Sequence, residues 1–91
     1  MSLQQRFDEA AERVKLLTKR PSDMELLELY ALFKQGSIGD VNTSRPGMFD
    51  LKGKAKWDMW NNKKGMSQEE AKEAYIKFVD RLMEQYKEDE E

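Results

Sequence analysis

"SQEEAKEAYIKFVDRLMEQY" (Ser67–Tyr86) decides the fold class. Ala71, Ala74, Tyr75, Phe78, Val79, Leu82, Met83 and Tyr86 recur at alternating steps of three and one, which gathers them on one face of an α-helix. Ser67 answered by Glu70 has the form of a capping box, and Met66 just outside the cap can staple onto Ala71. The same grammar recurs upstream. Ser22 and Glu25 form a second capping box, followed by Leu26, Leu27, Leu29, Tyr30 and Phe33 on one broad face, with Gly36 near the end. Leu3, Phe7, Ala10, Ala11, Val14 and Leu17 make an N-terminal stripe capped by Ser2 and ended by "TKRP", since a residue before proline is pushed out of helical geometry.

A further helix begins at Asp50, with Leu51, Ala55 and Met59 on one stripe and "NNKKG" closing it; Gly53 weakens its first turn. Between the second and third helices lies a long loop, Ser37–Asp50, rich in turn formers and expected to pack down through Ile38, Val41 and Met48. The reading is an all-α, four-helix domain over residues 2–87 with an acidic tail at 88–91.

The chain has 91 residues, enough for one domain with one core. Hydrophobic residues make up 38% and charged residues 37%, so the core is economical and the surface highly charged. The chain contains neither cysteine nor histidine, which removes disulfides, thiol nucleophiles, the usual general bases and most transition-metal ligands. No spacing suggests a triad or a phosphate-binding loop, so the expectation is no enzyme, no metal and no cofactor. The longest apolar run, Tyr30–Phe33, is far too short to span a bilayer, and no apolar signal-peptide core precedes the first helix. A cytoplasmic monomer without stable membrane insertion is expected.

Net charge is −2, yet residues 51–65 hold five lysines against one aspartate, while residues 66–91 hold four cations against nine acids. The positive potential is local, which suits a small anion better than a nucleic acid. On a helix Lys52 and Lys56 share a face with Lys54 turned away, and Trp60, one turn past Lys56, flanks that lysine. Tyr30 and Lys34 also lie one turn apart, with Phe33 beside them, so a hydroxyl and an ammonium on one ridge can both donate to a phosphate oxygen. Periodicity alone assigns the tyrosines, including Tyr75, to the core and the lysines to a solvated face.

"YALFKQ" (Tyr30–Gln35), "GDVNTSRPGMFDLKGKAKWDMWN" (Gly39–Asn61) and "AYIKFV" (Ala74–Val79) closely resemble the acyl-CoA-binding protein family, over about Phe7 to Tyr86. The resemblance implies a four-helix up-down-down-up bundle with an open bowl. Such a protein binds medium- and long-chain fatty acyl-CoA without transforming it, as an intracellular carrier and pool former. It also implies that Tyr30, Lys34 and Lys56 hold the 3′-phosphate and adenine end of CoA, and that Tyr75 closes on the nucleotide. Lys15 stands near the head group and Lys52 shares the face of Lys56. Phe33 stands where many members carry a tyrosine, so its ring can stack but its hydroxyl is lost; Gly36 replaces a common alanine and is expected to loosen that turn. Phe7, Met24, Leu26 and Leu27 are the candidates for the acyl-chain path. Transient contact with membranes or acyl-CoA-using enzymes is compatible with such a carrier. The competing reading is a helical protein-interaction module using the basic Lys52–Lys64 helix.

Overall fold

In the computed structural model, which describes residues 1–87, three of the helices open on the same device. The side chains of Ser2, Ser22 and Ser67 accept from the backbone N–H three residues on, and the side chains of Gln5, Glu25 and Glu70 accept the cap N–H in return. The helices are α1 (Leu3–Val14), α2 (Asp23–Ser37), α3 (Leu51–Asn61) and α4 (Gln68–Gln85), with no strand among the described residues. The tail expected at 88–91 lies outside them.

At α3 the cap is Asp50, which accepts from the N–H of Gly53 at 2.9 Å. A Cβ at position 53 would sit 2.2 Å from the Asp50 carboxylate, so glycine gives the cap room rather than merely weakening the turn. Helix α1 stops at Val14, short of the expected "TKRP" boundary. Lys15, Leu16 and Leu17 instead donate to carbonyls three residues back, a tighter winding that leaves Leu17 against the core and Leu16 72% exposed.

Inter-helix contacts set the directions. Arg6 meets Glu73 at 3.8 Å and Arg13 meets Asp80 at 2.7 Å, so α1 and α4 run parallel. Gln35 Nε2 donates to the carbonyl of Met66, and the Tyr86 hydroxyl donates to Glu25, so α2 and α4 run antiparallel. Lys56 lies over Tyr30, while Trp60 Nε1 reaches the carbonyl of Gly39, so α3 runs alongside α2. The result is the up-down-down-up arrangement, in the packing order α1–α4–α2–α3.

The main buried cluster is Phe7, Ala10, Leu29, Leu32, Tyr75, Ile76, Val79 and Leu82, from α1, α2 and α4, and Trp60 of α3 is buried outside it. Ile76 and Leu32 fall outside the stripes read from sequence. The loop between α2 and α3 does not pack through Ile38 and Met48, which are 44% and 72% exposed. Polar contacts hold it instead. Trp57 Nε1 donates to the Thr43 carbonyl at 2.8 Å, Arg45 pairs with both carboxylate oxygens of Asp58 at 2.9 Å, and Lys54 Nζ donates to the Met48 carbonyl. A loop this long exposes many carbonyls, and α3 side chains donate to those of Gly39, Thr43 and Met48.

Gln35, fully buried, ties the end of α2 to the loop and to α4 by donating to Asp40 as well as to Met66. The Asp40 carboxylate also accepts from the N–H of Gly65, and these two bonds hold its pKa below the usual value. Arg45 does the same for Asp58, and the Tyr86 hydroxyl for Glu25. A carboxylate whose pKa is lowered on folding stabilises the protein above its unfolded pKa, and that stability is lost as pH falls through the folded pKa. The melting temperature should therefore hold steady from neutral pH to about 5 and fall below about 4. Asp40→Asn should shallow the acid limb in a circular-dichroism melting series; a melting temperature unchanged down to about pH 3 would contradict this account.

Candidate functional site

Tyr30 is the centre of the surface where α2 meets α3. The Lys56 ammonium from α3 stands 5.3 Å from its ring centroid, and the Lys34 ammonium from the next turn of α2 stands 6.0 Å away. Lys34 also lies 5.1 Å over the ring of Trp60, which is 3% exposed. Trp60 was expected to flank Lys56; the structure places it under Lys34 because α3 lies parallel to α2 with the two C-terminal ends together.

Aromatic rings hold a cation by their negative faces while leaving its N–H groups free to donate outward. None of the ion pairs among the described residues uses Lys34, Lys52 or Lys56, whereas Arg6, Arg13, Lys15, Arg20, Arg45, Lys63 and Lys87 each meet a carboxylate. Two ammoniums without a carboxylate partner, both near one tyrosine ring, have N–H groups free to meet an anion.

Beside this pair, Leu26, Leu27, Lys52 and Lys56 border a cleft of about 270 Å³ between the first turns of α2 and α3. Arg20 and Asp23, paired at 2.9 Å, complete its outer wall. Neither was legible beforehand, because residues before and at the start of α2 have no helical period to declare their direction. Leucine walls with a lysine rim suit an apolar chain that carries an anionic head.

The surface continues past Tyr30 onto an aromatic trio. Phe7 stacks on Phe33 at 5.3 Å with an 18° tilt, and meets Tyr75 edge-on at 5.1 Å. Phe33 and Tyr75 are 5.7 Å apart, with Phe33 still 38% exposed and able to receive a flat group. Gly36 eases the packing of this cluster. A Cβ there would fall 3.2 Å from the Phe7 ring and 3.1 Å from Lys72, so this glycine permits a close approach rather than loosening the turn.

The sequence-selected residues thus divide. Tyr30, Lys34, Lys52, Lys56, Leu26 and Leu27 come together along α2 and α3, and Phe33 extends the surface toward α1, while Tyr75 is buried against it at 4% exposure. Phe7 is buried under Phe33, at 2% exposure, and does not line the leucine cleft. Met24 is 64% exposed and is not on its wall either. Lys15 caps the C-terminus of α1 and pairs with Glu12 at 3.3 Å. Among the described residues no cluster of acidic, histidine or cysteine side chains could hold a metal ion.

Comparison with known proteins bears on this geometry. A family model described as acyl CoA binding protein matches residues 4–79. An acyl-CoA-binding protein homolog of Drosophila melanogaster is 60% identical over 82 residues, 90% of this chain and 95% of its own length. Acyl-CoA-binding protein homolog 1 of Caenorhabditis elegans is 56% identical over 80 residues, 88% of this chain and 93% of its own. Among solved structures, acyl-CoA-binding protein 2 of Oryza sativa superposes with a TM-score of 0.88 at 45% identity, covering 92% of this chain and 93% of that one. The solution structure of acyl coenzyme A binding protein from yeast gives 0.75 at 47% identity, over 93% and 99%.

Tyr75 offers a direct check on the aromatic trio. Burial pushes its phenol up to about 12. Titration of the unliganded protein, followed at the Tyr75 ring carbon bearing oxygen, should give a midpoint near 12; a midpoint near 10 would mean water reaches the ring and the trio is not closed.

Proposed function

Since the chain belongs to the acyl-CoA-binding protein family, we propose that Tyr30, Lys34 and Lys56 grip the phosphorylated nucleotide end of an acyl-CoA while the leucine cleft takes its acyl chain. The chain binds fatty acyl-CoA thioesters and carries them. One observation supports the residue assignment most: the ammoniums of Lys34 and Lys56 meet over one tyrosine ring with no carboxylate to neutralise them. Phe33 offers a flat face for the adenine with Tyr75 packed against it from below, and Lys52, on the cleft rim, adds attraction to the pyrophosphate region. Lys15, already paired with Glu12, contributes longer-range attraction only.

Magnitudes divide the work. A charge-assisted hydrogen bond to phosphate contributes roughly 1.5–3 kcal/mol. Each methylene removed from water contributes about 0.8 kcal/mol, so two added carbons raise affinity about tenfold while the cleft has room. The tail therefore sets the strength, for medium and more so for long chains, and the cations set the requirement for CoA over free fatty acid. With no histidine or cysteine in the chain, nothing of the usual kind activates a nucleophile at the thioester, and the ligand leaves as it came.

We place the protein in the cytoplasm as a monomeric carrier. Met48, Phe49 and Leu51, at 72%, 94% and 72% exposure, project where the loop enters α3, next to Lys52 and the cleft. That apolar corner beside a cation supports transient contact with membranes or acyl-CoA-using enzymes at transfer. The basic α3 segment is a poorer protein-interaction stripe, since Lys54 is bonded to the Met48 carbonyl and Lys63 to Glu28.

Lys56→Ala should weaken palmitoyl-CoA binding about tenfold or more, with helix content unchanged by circular dichroism. Wild-type affinity in calorimetry would remove Lys56 from the site. Across an octanoyl-to-palmitoyl series affinity should climb steeply, with free CoA weakest. A flat response would mean the chain stays in water.

A further inference from the structure

Cations without a carboxylate partner gather in two places rather than one. Besides those around Tyr30, Lys77 and Arg81 stand on the exposed flank of α4, and none of the ion pairs among the described residues uses either. They are one turn apart, so their heads lie on one ridge. The Arg81 guanidinium is 5.4 Å over the Phe78 ring, which positions it above a recess of about 520 Å³. Leu32, Ala74 and Phe78 give this recess its apolar walls, and Lys63, held by Glu28 at 2.8 Å, closes the opposite rim.

The recess is separate from the acyl-CoA surface. At 100° per residue, Glu28 and Leu32 point about 180° from the mean direction of Leu26, Leu27, Tyr30, Phe33 and Lys34 on the same helix. An occupant on one face leaves the other free. The recess volume lies within the roughly 300–1,000 Å³ range of small-ligand sites.

We propose that this recess is a second binding site, for a small amphipathic organic anion. Its apolar body lies against Leu32, Ala74 and Phe78, and its single oxyanionic head, carboxylate or phosphate, sits between Lys77 and Arg81. Charge selects this occupant. A neutral ligand would leave the two cations unused. A long polyanion would run onto Glu69, Glu70, Glu73, Asp80 and Glu84 of the same helix. The positive potential extends only as far as one head group.

The test is an amide chemical-shift titration of protein already saturated with palmitoyl-CoA, using decanoate, decyl phosphate and the neutral control decanol. Both anions should give saturable shifts at Leu32, Ala74, Phe78 and Arg81, and decanol should bind more weakly. Tighter decanoate assigns a free fatty carboxylate as the ligand; tighter decyl phosphate assigns a phosphate ester. The double variant K77Q/R81Q, at two exposed positions, should weaken both anions about tenfold while palmitoyl-CoA affinity by calorimetry stays unchanged. Four outcomes would overturn the proposal: no saturation, shifts confined to Tyr30, Lys34 and Lys56, decanol binding as tightly as decanoate, or undiminished anion binding in K77Q/R81Q. Because palmitoyl-CoA affinity is read separately, a negative result here leaves the acyl-CoA assignment standing.

Discussion

The bond from the Trp60 indole N–H to the Gly39 carbonyl is the constraint on which the binding surface depends. Trp60 is almost fully buried, and a buried donor left without an acceptor costs about 1–3 kcal/mol, so the indole fixes where α3 must sit. That placement brings Lys56 over Tyr30 and puts the Trp60 ring beneath Lys34. Gly39 supplies the acceptor from a left-handed turn at φ 102°, a conformation that side chains disfavour. One hydrogen bond therefore registers two helices, and the register assembles the cations.

Helix α2 does most of the joining, and this explains why its apolar face is broad. Leu29, Leu32 and Gln35 are buried where α2 meets α4, Tyr30 and Lys34 meet α3, and Phe33 meets Phe7 of α1. A helix packed between two neighbours, with one ring reaching a third, cannot show a clean two-sided pattern. Its faces are nevertheless chemically distinct: aromatic and cationic on one side, and leucine with a paired glutamate on the other.

What sequence revealed follows from how local each feature is. The capping boxes at Ser22 and Ser67 and the stripe of α4 depend on neighbours within four residues, and they read correctly. Tyr30 and Lys34 were legible as a pair because one turn of helix joins them. Their meeting with Lys56 was legible only through the family motif, since it depends on how two helices lie side by side. The loop was misread for a similar reason. Ile38 and Met48 are apolar and were expected inside, but the indoles and Lys54 meet loop carbonyls and Arg45 ties the loop to Asp58 without burying it. Gly36 and Gly53 looked like weak points, but Gly53 leaves room for the Asp50 cap and Gly36 eases a tight approach of Phe7 and Lys72. Nothing in the spacing of a glycine says which side chain will approach it.

The apolar cluster joins α1, α2 and α4 but takes no side chain from α3. Amide hydrogens in α3 should accordingly exchange faster than those of α4, as an element held by one buried indole and a few polar links opens at lower cost than one sealed in oil. Half of the site travels with that helix. A bound thioester would bridge the loosely held half to the firm one, and the empty protein would be the more pliant of the two states. Uptake and stiffening would then be a single event, with the ligand completing a seam that the polypeptide leaves partly open.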